Sequence, residues 1–137
     1  KKTTKRWQIW VEQSKYDLDA ASLSLQNGFH EWASFQSQQC VEKVLKAVIV
    51  KAGYRAPKIH KLAILMSFCN RSNDKFRNTK FEFRDIEAFT YISRYPFLIP
   101  GENSSPHNYI TKDDAEICLA EATTVFNQVI DILNNNY

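Results

Sequence analysis

Glycine and proline occur at only a few positions in this chain, and their grouping divides it into long uninterrupted segments. The sequence contains three glycines and four prolines. They fall in three places: Asn27-Gly28, Gly53 with Pro57, and the stretch 96–106. Because these residue types mark turns and helix ends, each segment between them should form one regular element.

The segments repeat apolar residues every three or four positions, which is the period of an α-helix. The stripes predict helices over residues 4–26 and 31–52, and shorter helices at 60–69 and near 83–93. A last helix should begin at Thr111, whose hydroxyl is placed to cap it. No alternating strand pattern of any length occurs in the sequence.

The second segment should be the central helix of the fold. Its apolar residues cover an arc of roughly 160°, wide enough to contact neighbours on two sides. The short Asn27-Gly28 turn favours an antiparallel hairpin of the first two helices. We therefore predict an all-α, up-and-down bundle of four to five helices, forming a single domain over residues 1–137, with a mobile polar connection at 70–80.

The composition limits the functions that the chain can have. A net charge of +3 permits phosphate binding, but nucleic-acid wrapping usually needs a denser basic face. The three cysteines lie widely spaced within apolar stripes, and the three histidines are scattered, so we expect core thiols and no metal site. No cofactor is expected either. Without an apolar run that could cross a membrane or a signal core, the expected location is the cytoplasm.

Three motifs occur in order along nearly the whole chain. They are a Gln-Gln-x-x-Glu-Lys-x-Leu-Lys-Ala run from Gln38, a His-x-Leu at His60 and an Arg-Tyr-Pro at Arg94. In this order they resemble the HEPN domain family. The resemblance is to its compact branch, which includes the C-terminal domain of sacsin.

The resemblance implies a helical bundle that forms a homodimer. It also implies one of several roles: binding a nucleotide of the ATP or GTP class, cutting RNA without a metal, or partnering a small nucleotidyltransferase in a toxin–antitoxin pair. In nuclease members of the family, an arginine is followed four to six residues later by a histidine on the same helix. The arginine stabilises the scissile phosphate, and the histidine assists the 2′-hydroxyl chemistry.

The polar side of the second helix is the first candidate site. Gln39 and Lys43 lie one turn apart, as do Glu42 and Lys46, so amides and ammonium groups should project from one surface. Lysine offers a compact positive charge to phosphate, and glutamine can donate to a phosphate or a base edge. The alternative is a solvated face with an ordinary Glu42–Lys46 ion pair.

Arg94 and Tyr95, at the end of the fourth predicted helix, form the second candidate. A cation there complements the helix dipole, and Pro96 stops the helix. The functional alternative is that the guanidinium binds a phosphate through two hydrogen bonds while Tyr95 stacks on a base or ribose.

The nuclease spacing of the family is absent from its expected place. The next histidine after Arg94 is His107, and three intervening prolines exclude one continuous helix. Arg55 and His60 match the bare spacing, but Pro57 interrupts them and the family's motif belongs on a later helix. We interpret that match as chance. Near the start of the third helix, His60 should hydrogen-bond free backbone N–H groups or a neighbouring helix, with ligand contact as the alternative.

These observations lead to three hypotheses. The first is a homodimeric domain that binds a nucleotide without catalysis and works with a nucleotidyltransferase. Its predicted binding residues are Gln39, Lys43, Lys46, His60, Arg94 and Tyr95. The second is a metal-independent endoribonuclease toxin, which requires an arginine and a histidine to meet in space. The third is a dimerisation module without a ligand.

Overall fold

The computed structural model describes residues 2–77 and 79–135, with side chains from residue 6 onward. Its helices are α1 (Lys2–Gln26), α2 (His30–Lys51), α3 (Leu62–Ser72), α4 (Arg84–Ile92), the single turn α5 (Pro106–Tyr109) and α6 (Lys112–Asn134). Within these described ranges no strand is present. The prediction of an all-α fold is confirmed.

A tight turn joins α1 to α2. Gly28 adopts a φ of 84°, a left-handed conformation that costs glycine little because it lacks a Cβ. Two backbone bonds close the end of α1: the Phe29 N–H donates to the Ser24 carbonyl at 2.8 Å, and the Gly28 N–H to the Leu25 carbonyl at 3.2 Å. The two helices therefore pack side by side as a hairpin, as the Asn27-Gly28 motif predicts.

The central position of α2 is also as predicted. It packs against α1, α3, α4 and α6, and its residues 44–49 are all buried. The thiols of Cys40, Cys69 and Cys118 lie inside this core, where burial raises the pKa of each to about 12. At neutral pH these cysteines stay protonated, so they act as small core residues and not as nucleophiles.

The third helix begins two residues later than predicted. Lys61 has extended backbone angles, with φ −71° and ψ 119°, and α3 starts only at Leu62. His60 therefore belongs to the connection between α2 and α3 and not to a helix. This placement lets its side chain reach across to α2.

The stretch 70–80, predicted to be a mobile connection, is partly folded. Helix α3 continues to Ser72, and a 3₁₀ turn follows at Asp74–Phe76. That turn places the Phe76 side chain in the core with no exposed surface. A single phenylalanine among polar residues carries no periodicity, which is why the sequence did not indicate this anchor.

No described helix combines the length and the apolar character needed to cross a membrane.

Candidate functional site

A cavity of about 410 Å³ lies between α2, the connection that carries His60, and the end of α4. Four of the six predicted binding residues line it: Gln39, His60, Arg94 and Tyr95. These residues come from three separate parts of the chain. Its other lining residues, which the sequence did not single out for binding, are Phe35, Gln38, Glu42, Thr90 and Tyr91.

Aromatic rings, and not carboxylates, surround the Arg94 guanidinium. Its Cζ atom lies 4.5 Å from the ring centroid of Phe35, 5.2 Å from that of Tyr95 and 5.3 Å from that of Tyr91. Among the described residues, no carboxylate forms an ion pair with Arg94. Stacking uses the face of a guanidinium and leaves its edge free to donate hydrogen bonds to an anion.

Arg94 also closes the end of α4. The helix ends at Ile92, and the Arg94 Nε donates to the Thr90 carbonyl at 3.2 Å. The predicted structural role, a cation at a helix C-terminus, is therefore present. The hydrogen bond to Thr90 uses only Nε, and the two Nη groups make no hydrogen bond within the described part of the chain.

His60 is oriented by a buried carboxylate. Its Nδ1 lies 3.0 Å from Oε2 of Glu42, and its own side chain is 66% exposed. Glu42 is only 4% exposed, and the same oxygen accepts from Lys46 Nζ at 2.9 Å. Burial opposes ionisation of Glu42, but the hydrogen bonds from Lys46 and His60 outweigh it and hold the pKa of this carboxyl below its ordinary value.

The contact with Glu42 determines which nitrogen of His60 can react. The carboxylate accepts a hydrogen bond from Nδ1–H, so the neutral ring has its lone pair on Nε2. The imidazole is thus held like a general base or a hydrogen-bond acceptor. Of the two structural contacts predicted for His60, the structure shows the one with a neighbouring helix, through Glu42 of α2, and not a bond to free backbone N–H groups.

Two neighbouring glutamines of α2 link this helix, through hydrogen bonds, to the connection between α2 and α3 that carries His60. Gln38 is fully buried, and its Nε2 donates to Glu42 Oε1 and to the His60 carbonyl, both at 3.2 Å. The half-buried Gln39 donates from Nε2 to Gln38 Oε1 at 2.8 Å. The Gln-Gln pair was recognised in the sequence, but the anchoring role of Gln38 depends on where the connection folds back.

Lys43 and Lys46 lie outside the lining of this cavity. Lys43 Nζ is 2.5 Å from Oδ2 of Asp17 on α1. Lys46 is 5% exposed, paired with Glu42, and its Nζ lies 5.8 Å from the ring centroid of Trp10. Both ammonium groups are therefore already paired with carboxylates.

Arg55 and His107, the other candidates for a nuclease arginine–histidine pair, lie outside this cavity. Arg55 is exposed and does not line the cavity with His60. His107 Nδ1 is 3.0 Å from Oε1 of Glu31, in the first turn of α2, and also lies outside the cavity. In one chain, the histidine that shares a cavity with Arg94 is His60.

The cavity can bind an anion and hydrogen-bond a polar ring, and it offers one imidazole for proton transfer. The described residues include no cluster of three or more His, Cys, Asp or Glu side chains that could hold a metal ion.

Residues 7–133 match the sequence model of the HEPN domain. A protein of Methanocaldococcus jannaschii named "Putative toxin MJ1304" is 28% identical over 135 residues, which is 94% of this chain and 89% of that protein. The crystal structure of TT1696 from Thermus thermophilus superposes with a TM-score of 0.74 at 25% identity, over 93% of this chain and 98% of its own. ST0689, described as an archaeal HEPN homologue, superposes with a TM-score of 0.63 at 25% identity, over 92% and 96%. The chain therefore belongs to the HEPN domain family.

Proposed function

We propose that this HEPN domain binds a nucleotide in the cavity between α2 and α4. The observation that carries the proposal is Arg94, a guanidinium held among three aromatic rings and without a carboxylate partner in the described structure. Its free edge can donate to phosphate oxygens, and Tyr95 or Tyr91 can stack on the base or ribose.

The rest of the cavity fits the same ligand. A volume of about 410 Å³ falls within the range of small-molecule sites. Gln39 and His60 add polar groups that can recognise a base edge or a hydroxyl. Lys43 and Lys46 contribute indirectly, because they neutralise Asp17 and Glu42 next to the cavity and so reduce repulsion of a phosphate.

Calorimetric titration with ATP and GTP in the presence of EDTA tests this proposal. We expect saturable binding to the wild type, and at least a tenfold loss of affinity in Arg94→Ala because a charged hydrogen-bond donor is removed. Arg84→Ala is the matched control, since Arg84 is exposed at the start of the same helix and outside the cavity. It should bind like the wild type.

Two results would contradict the nucleotide proposal. One is the absence of heat at millimolar nucleotide, together with no thermal stabilisation by ATP or GTP; this would favour the dimerisation module without a ligand. The other is unchanged affinity in a folded Arg94→Ala protein, which would place the binding site elsewhere.

Metal-independent RNA cleavage is a second candidate, favoured by one specific observation. Arg94 and His60 are far apart in sequence but line the same cavity of one chain. The Nε2 of His60 is available while Nδ1 contacts Glu42, as a general base for a 2′-hydroxyl requires. Arg94 would stabilise the charge that develops on the phosphate. The relative from M. jannaschii, named as a toxin, is in keeping with this activity.

Cleavage of a labelled oligoribonucleotide in EDTA separates this candidate from simple binding. If the enzyme hypothesis holds, His60→Ala and Arg94→Ala abolish cleavage, whereas His107→Ala, outside the cavity, retains it. Activity that survives in both cavity variants would indicate a contaminant or another site. Nucleotide binding without any cleavage would leave the non-catalytic function.

We further propose that the protein acts as a homodimer and pairs with a nucleotidyltransferase. Large apolar side chains continue from the cavity onto the surface. Phe97, 65% exposed, stacks on Tyr95 at 5.4 Å, and Trp32, 45% exposed, contacts Phe35 edge-on at 6.1 Å. Exposed aromatic surface of this kind marks contact sites between proteins. The toxin name of the relative supports a toxin–antitoxin partner.

A further inference from the structure

Two grooves border the connection between α2 and α3. They lie away from the cavity that Arg94 and His60 line, which is called the Arg94 cavity below. The first, of about 470 Å³, lies between this connection and α3 and is lined by Phe68 and Arg71 of that helix. The second, of about 340 Å³, lies towards α1 and is lined by Ile9 and Trp10. Counted along α2, Ile49 of the first groove is about 15 Å from Gln39 of the Arg94 cavity. The grooves thus form a separate surface near the end of α2.

The two grooves meet at Tyr54 and Arg55, which line both. Tyr54 is 64% exposed, and Arg55 is exposed as well. Most of the other walls are apolar, with Ile49, Pro57 and Phe68 in the first groove. We call this pair of grooves, with Arg55 between them, the double groove.

The charge of the double groove has one sign. Its described lining includes Arg6, Arg55 and Arg71 but no aspartate or glutamate. Within the described structure none of these arginines forms an ion pair. Two other cavities differ in this respect, since Glu42 lines the Arg94 cavity and Glu121 lines a groove on α6.

Arg71 is already positioned to receive a carboxylate. Its Cζ atom lies 4.6 Å from the ring centroid of Phe68, so stacking on the ring restrains the guanidinium. The planar edge stays available for two parallel hydrogen bonds to a carboxylate.

We infer that the double groove docks an acidic segment of a partner protein. Two apolar side chains of this segment fill the two grooves, and its carboxylates pair with Arg55 and Arg71. Aromatic and arginine side chains around apolar pockets are the groups that dominate binding energy between proteins. A nucleic acid fits less well, because its interfaces are more polar and need many more cations than three arginines. This surface goes beyond the nucleotide site proposed above and does not depend on it.

Selection from a random twelve-residue peptide library displayed on phage tests the inference. The bait is the wild-type protein, and the counter-selection uses the folded double variant Arg55→Glu/Arg71→Glu. We expect the enriched peptides to combine several acidic residues with two apolar ones. Synthetic copies of these peptides are then measured by fluorescence anisotropy.

Matched variants separate specific docking from general attraction of charge. Arg55→Glu should weaken peptide binding at least tenfold, and Arg55→Lys should weaken it less because the charge is kept. Lys112→Glu makes the same change in net charge at the start of α6, outside the grooves, and should alter affinity less than twofold. Arg55 and Arg71 are exposed, so the variants should fold, which circular dichroism checks.

Any one of four results would overturn the inference. The first is an absence of peptides enriched over the double variant, and the second is enrichment of basic or uncharged peptides. The third is an equal loss of affinity in Lys112→Glu. Displacement of a bound acidic peptide by oligouridylate in wild-type protein, but not by ATP, would reassign the double groove to nucleic acid.

Discussion

Glu42 links polar side chains of α2 to the connection that follows this helix. It accepts hydrogen bonds from Lys46, His60 and Gln38 while almost wholly buried. Its pKa is held below the ordinary value of 4.5, so this contribution to stability is complete above about pH 4.5. It is lost as the pH falls through the lower folded-state pKa.

Replacing Glu42 alone should therefore be costly. Glu42→Gln leaves the Lys46 ammonium buried without a carboxylate, and we expect a loss of about 3 kcal/mol in the free energy of unfolding. Urea denaturation at neutral pH measures it. The double variant Glu42→Gln/Lys46→Met removes the stranded charge and should recover most of the loss. A double variant as unstable as the single one would show that the ion pair is not the source of the effect.

The pKa of Glu121 is shifted in the opposite direction to that of Glu42. Burial raises the pKa of its carboxyl to about 7, and the neighbouring Asp85 adds to the rise by hydrogen bonding and by charge repulsion. Its Oε1 is buried without a hydrogen-bond partner in the described structure. Because the folded-state pKa lies above the ordinary value of 4.5, ionising Glu121 destabilises the fold. This cost is absent below about pH 4.5 and grows as the pH rises towards 7.

Glu121→Gln should therefore stabilise the protein above about pH 4.5, where Glu121 of the unfolded wild-type chain is ionised. At pH 8 we expect a gain on the order of 1 kcal/mol, reduced from the full pKa difference because solvent screens this partly exposed group. At pH 4 the gain should vanish, as urea unfolding at the two pH values will show. Glu116→Gln, exposed on the same helix, is the control and should change little at either pH. An equal gain at both pH values would contradict the titration account.

At the scale of elements, the start of α6 is the best example of local sequence determining structure. Thr111 Oγ1 accepts from the Asp114 N–H at 3.1 Å, and an Asp114 carboxylate oxygen accepts from the Thr111 N–H at 3.0 Å. Both bonds lie within four residues, so the Thr-Lys-Asp-Asp motif was sufficient to predict this helix start.

Thr111→Ala should lower the free energy of unfolding by about 1 kcal/mol, since the first turn of α6 loses its side-chain acceptor. Thr111→Ser keeps the hydroxyl and should stay close to the wild type. Equilibrium unfolding in urea distinguishes the two variants. If both lost the same amount, the threonine methyl group, and not the capping oxygen, would carry the effect.

The helices themselves follow from periodicity, but their ends do so only where a local motif is present. The turn after α1 was predicted because Gly28 allows the left-handed backbone there. The start of α3 was placed too early, at His60, because nothing local reports that residues 58–61 lie outside the helix. The backbone carbonyl of His60 is instead held by Gln38 of α2, through a contact between distant parts of the chain.

At the scale of the whole molecule, the proposed homodimer would use the exposed aromatic surface beside the Arg94 cavity, which includes Phe97 and Trp32. Sedimentation velocity on the wild type should show a dimer at micromolar concentration. Phe97→Ala should raise the dimer dissociation constant at least tenfold, because it removes a large exposed ring from this surface. Tyr16→Ala is the matched control, as Tyr16 is 63% exposed on α1 and does not line the cavity. A monomeric wild type would contradict the homodimer proposal.

Features that depend on neighbours along the chain could be predicted from the amino-acid sequence. Apolar stripes at helical spacing identified the helices, their all-α class and the buried cysteines, and turn residues predicted the first hairpin. The family also followed from motifs in linear order. These patterns can be recognised in the sequence because helical periodicity, capping and glycine turns each involve only a few neighbouring residues.

Which side chains of distant segments contact each other could be seen only once the helices were packed. Periodicity shows where a residue points on its own helix, but not what lies opposite. Lys43 was predicted to bind a nucleotide, with a solvated position as the alternative, and nothing in the sequence indicated that Asp17 of α1 pairs with it. His60 contacts Glu42, and Arg94 stacks on Phe35, because α2 packs against α4 and beneath the His60 connection. The contacts within a site built across helices depend on this packing, which no local pattern in the chain encodes.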